Sequence, residues 1–331
     1  MSTNPRPLST ALATYDHTRA LKSGSVVVPG YQLDFVEVTP IIAAFRRMIR
    51  TLEFDVCEMA PTTYLTALEA GVPIIAIPVF LMRRFHHGDI VCRPGSGIER
   101  PKDLEGRRVG VRAYTVSTGV WARALLQSEY GVDPDKVTWV VDDEEHVESF
   151  KLPPNVEKAE PGDSIVAMFH SGRIDAALTG PAGLGRSGAP GAGWGVAGGG
   201  WDDNNEKKQD FYQLFDNSAK VEAESYRTTK VYPLHALVAI KTEVVAKYPD
   251  LPARLIAALE ESKRPFIEAL RRGDAESPDL VRYGGLLEVV GPDPLPFGIE
   301  ANMPSIDALL DAAVNQHILH SRPTIEQIFT G

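Results

Sequence analysis

The sequence predicts an α/β protein of two lobes, with the second lobe inserted into the first. Three observations carry this reading. At 331 residues the chain is too long for one small domain and too short for three, on a prior of roughly 150 residues per domain. Strand and helix signals alternate up to Cys92 and again after Pro101, the pattern of mostly parallel sheets flanked by helices. A strand-like run, Leu234 to Ile240, then returns after a glycine-rich stretch and precedes a helical C-terminal part. The expected lobes are residues 1–92 with 236–331, and residues 93–235, with crossings near Cys92–Pro94 and Pro233–Ala236. Such an order implies a ligand cleft between the lobes.

In chain order, Leu8 to Tyr15 and Tyr31 to Val38 read as strands. Thr39 caps a helix that opens on Pro40, with Ile41, Ile42, Phe45, Met48, Ile49 and Leu52 at helical spacing. Phe54 to Met59 is a short strand, and Pro61 to Ala70 is a helix closed by Gly71. Pro73 to Phe80 is nearly all apolar, as a buried parallel strand should be. In the second lobe Val109 to Val111, Lys136 to Val141 and Ile174 to Leu178 read as strands, with helices over Ser117–Glu129 and Asp163–Ser171. The stretch from Gly180 to Gly200 reads as a long loop or flap. Helices follow near Leu251–Arg271, Ser305–His317 and Thr324–Phe329.

Composition narrows the function. Hydrophobic residues make up 44% and charged residues 24%, which argues against global disorder. The longest apolar run, Val72 to Met82, holds two prolines and falls short of the roughly 18 residues of a spanning helix. A net charge of −10 disfavours nucleic acid as a partner and leaves room for a local arginine-lined anion pocket. The N-terminal segment lacks a secretory apolar region, so the expected location is the cytoplasm, with no membrane partner. Cys57 and Cys92 belong to no metal-type cluster.

Several polar groups fall in loops after predicted strands. Tyr15, Asp16 and Arg19 follow the first strand, and Glu58 ends another. Arg83, His86 and His87 follow the apolar strand, at the edge where open α/β sheets bind ligands. Tyr114, Ser117 and Thr118 lie at a turn into a helix, where a hydroxyl either caps the helix or meets a carboxylate. His235 opens the returning strand. Gly183-Leu-Gly185-Arg-Ser-Gly188 matches the dinucleotide fingerprint, but Ala-Pro-Gly follows and opens no helix, so no nucleotide is expected there. Together these positions favour a site for a small carboxylate.

The same residues carry a resemblance. Tyr15-Asp-His-Thr-Arg-Ala-Leu21, Glu53-Phe-Asp-Val-Cys-Glu-Met59, Arg83 with Phe85 and His87, Gly106-Arg-Arg-Val-Gly-Val111, His235 and Pro296-Phe-Gly-Ile-Glu-Ala-Asn302 are similar, in order, to the 4,5-dihydroxyphthalate decarboxylase family. Val120-Trp121-Ala-Arg123 and Glu129-Tyr-Gly-Val132 extend the series. The resemblance implies a type 2 periplasmic-binding-protein-like fold and non-oxidative decarboxylation of a hydroxylated aromatic acid, most simply 4,5-dihydroxyphthalate to protocatechuate. On that implication His87 and His235 transfer protons. Arg19, Arg83 and Arg112 clamp carboxylates, and Tyr114 and Ser117 orient the ligand. Tyr15, Asp16, Glu58, His86 and Thr118 complete the substrate-binding set. No cofactor is expected, and a divalent metal held by His86, His87 and Asp89 is the alternative. A homo-oligomer is expected. A substrate-binding protein of an ABC transporter is the rival reading, since the fold serves both. The chain departs from the family at His86, where arginine is more usual, at Ser117, where threonine is, and in a longer Gly180–Gly200 segment.

Overall fold

The computed structural model describes residues 5–187, 200–201 and 210–331. The chain divides into two compact units. One comprises the N-terminal part up to Arg83 with Leu234–Ile306 and Pro323–Gly331, and the other comprises Arg84–Pro233 with Asp307–Arg322.

The first unit is built on a five-stranded sheet in the order β2-β1-β3-β13-β4. Its strands are β1 (Arg6–Ala11), β2 (Tyr31–Phe35), β3 (Val56–Met59), β4 (Ile74–Arg83) and β13 (Leu234–Lys241). β1 runs parallel to β2 and β3, whereas β13 runs antiparallel to β3 and β4, so the sheet is mixed, with β13 alone opposed to the other four strands. β4, expected as an interior parallel strand, lies at the sheet edge. Its apolar run is explained by what covers that edge. Ala76 bridges Phe329, and its carbonyl accepts from the Thr330 N–H at 2.9 Å, so the C-terminal segment shields it. Helices α1 (Arg19–Lys22), α2 (Ile42–Thr51), α3 (Pro61–Glu69), α7 (Thr242–Lys247), α8 (Leu251–Arg272), α9 (Pro278–Gly284), α10 (Leu287–Val290) and α12 (Ile325–Ile328) belong to this unit. α8 opens with Pro252 in its first turn and closes on Gly273 in the left-handed region. Its Leu251, Leu255 and Leu259 pack on Leu8, Val56 and Val238 in the core. α2 starts at Ile42 without a side-chain cap, so Thr39 does not cap it.

In the second unit six strands follow the order β12-β5-β9-β6-β7-β8. They are β5 (Ile90–Cys92), β6 (Arg108–Gly110), β7 (Thr138–Val141), β8 (Val156–Lys158), β9 (Ala176–Leu178) and β12 (Tyr212–Gln213). The four from β9 to β8 are parallel, β5 runs against them, and β12, antiparallel to β5, points the same way as the four. α4 (Ser117–Tyr130), α5 (Ile165–His170) and α6 (Ser218–Thr229) complete the unit. α5 sits so close to β6 that a Cβ at Gly110 would come within 2.6 Å of Ile165, which fixes glycine there. α11 (Met303–Asn315) starts in the first unit and continues into the second from Asp307.

The boundary therefore falls at Arg83/Arg84 and not at Cys92/Arg93. β5 explains the difference, because Ile90–Cys92 pairs with β9 inside the second sheet. Nor do all C-terminal helices join the first unit. Gln316 accepts from Arg123 Nε at 2.7 Å and donates to the Val120 carbonyl at 2.9 Å, tying that stretch to α4. In the glycine-rich stretch, a Cβ on Gly183 would meet the Leu178 carbonyl oxygen at 1.9 Å. Steric closeness thus accounts for this glycine without a phosphate. The chain continues as β10 (Arg186–Ser187), antiparallel to β11 (Gly200–Trp201). The expected flap over Gly180–Gly200 falls largely on residues 188–199, which lie outside the described residues.

Candidate functional site

In the first unit, polar groups gather after β1 and along β3. Glu58 is 1% exposed. Its carboxylate accepts from the Ala13 N–H at 3.0 Å and from the Tyr15 hydroxyl at 2.7 Å. Burial raises the Glu58 carboxyl to about 6, even though both hydrogen bonds favour its ionised form. The Tyr15 phenol is pushed well up, by burial first and by Glu58 second. Tyr15 stacks on His17 at 5.1 Å between ring centroids. Arg19 points away from this group. It is exposed and pairs with Asp16 at 2.6 Å, and Asp16 also accepts from Ser277. Its interaction is a local surface ion pair.

Arg83 and His235 meet at the end of the β4–β13 ribbon. Leu234 lies across from Arg83 and Ala236 from Met82, with a register shift between them, so His235 occupies a β-bulge. Bulges re-aim side chains and recur beside functional sites. The Arg83 guanidinium is buried and oriented by Asn302 Oδ1 at 2.8 Å and Ser305 Oγ at 3.0 Å.

Within the second unit, the segment after β4 makes a short turn, His87–Asp89. Asp89 Oδ2 accepts from Arg84 at 2.5 Å and lies 2.7 Å from His86 Nδ1. Arg84 also donates to Thr118 Oγ1 at 3.4 Å. Burial drives the His86 imidazole down to about 4, more strongly than Asp89 raises it. Burial also opposes ionisation of Asp89, but Arg84 and His86 hold its carboxyl below the usual value. α4 starts at Ser117 after Val116, and no side chain caps it. Ser117 and Thr118 therefore stand inside the first turn and are not its caps. This helix start suits an anion through its dipole. Ahead of it, Glu145 accepts from the Tyr114 N–H at 2.5 Å and the Thr115 N–H at 3.1 Å. Arg112 is buried against Asp143 at 3.1 Å, so its charge is already matched. The Tyr114 hydroxyl donates to the Gln316 carbonyl at 3.2 Å, and the Arg123 guanidinium lies 3.9 Å over the Tyr114 ring. Tyr114 thus braces α4.

His87 faces elsewhere. It lines a cavity of about 390 Å³ formed with α4, α6 and α11, and its ring stands edge-on to Phe215 at 5.3 Å. Among the described residues, no group of three His, Cys, Asp or Glu side chains is arranged to hold a metal ion. His86 already directs Nδ1 at Asp89. Sequence reasoning missed Glu129, Asp143 and Glu145, which meet their partners only through tertiary packing. It weighed Asp89 only as a ligand in the alternative metal reading, whereas Asp89 braces His86 and Arg84.

A 4,5-dihydroxyphthalate decarboxylase from Comamonas testosteroni is 30% identical to this chain over 315 residues, covering 92% of this chain and 90% of that protein. The chain belongs to the 4,5-dihydroxyphthalate decarboxylase family. A second member, from Pseudomonas putida, is 35% identical over 183 residues, 53% of this chain and 70% of that protein. Residues 29–184 also match the family model described as "ABC transporter, phosphonate, periplasmic substrate-binding protein". The fold of this family member is that of the periplasmic binding proteins. The aliphatic sulphonate binding protein SsuA from Escherichia coli matches with a TM-score of 0.55 at 15% identity, over 99% of this chain and 93% of that one. The desulfurization enzyme DSZB matches with a TM-score of 0.53 at 15% identity, over 97% and 95%. One fold thus accommodates binders and an enzyme, and the side chains must decide between them.

Proposed function

We propose that this protein is a cofactor-independent decarboxylase of a hydroxylated aromatic acid, with 4,5-dihydroxyphthalate as the first substrate to test and protocatechuate as its product. Family membership over nearly the whole chain carries this reading. The chemistry defines what the site must supply. Direct loss of carbon dioxide would leave an unstable aryl carbanion. When a hydroxyl lies para to the departing carboxylate, a base takes the phenolic proton and an acid protonates the ring carbon bearing the carboxylate. Carbon dioxide then leaves with its bonding pair returned to the ring, and aromaticity is restored. The step needs an acid, a base and a cation for the retained carboxylate.

The first unit offers all three types of group. His235 stands at a bulge beside Arg83, and Glu58 with Tyr15 forms a buried pair whose carboxyl titrates at about 6, close to where acid–base catalysts work best. We assign proton transfer to His235 and the Glu58–Tyr15 pair, and carboxylate binding to Arg83. We do not extend proton transfer to His87, because its cavity carries the Glu129 and Asp311 carboxylates and, among the described residues, is lined by no arginine or lysine, a poor setting for a dianion.

The test is carbon dioxide release from a panel of hydroxybenzoates and hydroxyphthalates. Wild type should release it from a para-hydroxylated member, with and without a chelator. His235→Asn should cut turnover by roughly 10²–10⁴ with little change in affinity, and Arg83→Met should mainly weaken binding. The family-model match favours a second reading, a binding protein for a small anion. Tight binding of an aromatic acid with no release from any panel member would select it.

A further inference from the structure

The cavity beside His87 lies wholly within the second unit and takes no part in the chemistry above. At about 390 Å³ it falls within the size range of small-molecule sites. Phe85, Trp121 and Leu125 give it apolar walls against which a planar ring packs well. His87 is 3% exposed, and neither ring nitrogen has a hydrogen-bond partner. A buried polar group in that state calls for a partner. Across the cavity wall, Glu129 Oε2 stands 3.8 Å from His87 Nε2, too far for a hydrogen bond. The other carboxylate oxygen of Glu129 accepts from Ser225 Oγ at 2.9 Å, which fixes the group in place. One atom that accepts from the imidazole N–H and donates to the carboxylate would complete this arrangement, and a hydroxyl does both. A carboxylate, sulfonate or phosphonate does not fit, because among the described residues no lysine or arginine lines the cavity and Glu129 and Asp311 do.

We propose that this cavity binds a small uncharged aromatic carrying a hydroxyl group, a phenol, with the hydroxyl seated between His87 and Glu129. The site is separate from any carboxylate site and does not depend on the decarboxylase reading. Occupancy would satisfy a buried imidazole at the turn that also holds His86 and Asp89, so a ligand here would stiffen the start of the second unit.

Calorimetric titration of the full chain with phenol, benzoate and benzylammonium tests the proposal. Phenol should bind saturably and at least about tenfold more tightly than either ion, the worth of one hydrogen bond to a charged group. His87→Phe should weaken phenol about tenfold. Ala308→Phe, which projects a ring into the cavity from α11, should abolish binding, with circular dichroism confirming that both variants fold. Benzoate binding that is equally tight and lost in the same variants would make this an anion site and overturn the proposal. Benzylammonium binding tighter than phenol would make it a cation site, with the same consequence. No saturable heat with phenol, or phenol binding untouched by both variants, would also overturn it.

Discussion

His17 in the first unit and His86 in the second are both almost completely buried, but they sit in opposite surroundings. His17 is stacked on Tyr15 and tilted against Phe266, and its ring nitrogens make no hydrogen bond of ordinary geometry. His86 has Asp89 at 2.7 Å, and Asp89 is shared with Arg84. Burial dominates in both cases. It lowers His17 to about 3, with the Leu81 backbone opposing and Lys263 assisting, and it lowers His86 to about 4. A carboxylate in contact therefore leaves His86 far below its ordinary 6.5, because burial outweighs that contact and the Arg84 charge adds to the lowering. Asp89 orients the imidazole more than it charges it. Glu58 presents the same physics in an acid, since burial raises it to about 6, where a proton can be exchanged near neutrality.

The largest effect should come from removing the shared carboxylate. Asp89→Ala strands Arg84 and His86 together, and breaking such a buried pair costs about 3–5 kcal/mol. Urea unfolding at pH 7 should show this loss, and a loss below 1 kcal/mol would mean that the network is not what holds the turn. Acid sensitivity comes next. The folded His17 binds its proton less readily than the unfolded one, so stability is complete above pH 6.5 and falls as the pH drops towards about 3. At about 1.4 kcal/mol per pH unit, His17→Phe should gain about 3 kcal/mol over wild type near pH 4.5 while differing little at pH 7. An unchanged acid limb would show that His17 does not titrate in this way. Glu58 acts with the opposite sign. Its raised carboxyl favours the fold below pH 4.5, and that advantage is lost as the pH rises through about 6. Glu58→Gln should flatten this part of the stability curve by about 2 kcal/mol.

Much of the fold was legible in the sequence because it rests on local signals. The helical spacing in α2, the glycine after α3 and the apolar run of β4 identified their elements within a few residues. Pairing was less legible. Nothing in Leu234–Lys241 tells that β13 runs against its neighbours, and nothing in Ile90–Cys92 says that it belongs to the second sheet. α6 escaped notice because only Ser225 of its residues is buried, so it carries no apolar stripe. In the candidate site, residues at strand ends were visible, including Glu58, Arg83 and His235. Their partners were not. The Tyr15–Glu58 bond joins the loop after β1 to β3, and Glu129 reaches His87 only because α4 folds back onto the turn. Arg19 and Arg112 looked like anion clamps until Asp16 and Asp143 were seen beside them, and a charge already matched has less to offer a ligand.

The central claim, decarboxylation by protonation of the ring, is tested most directly by turnover of 4,5-dihydroxyphthalate in deuterium oxide. The account predicts protocatechuate with one deuterium on the carbon that carried the lost carboxylate, and no oxygen consumed. Substrate recovered intact despite tight binding, or product without deuterium at that carbon, would contradict it.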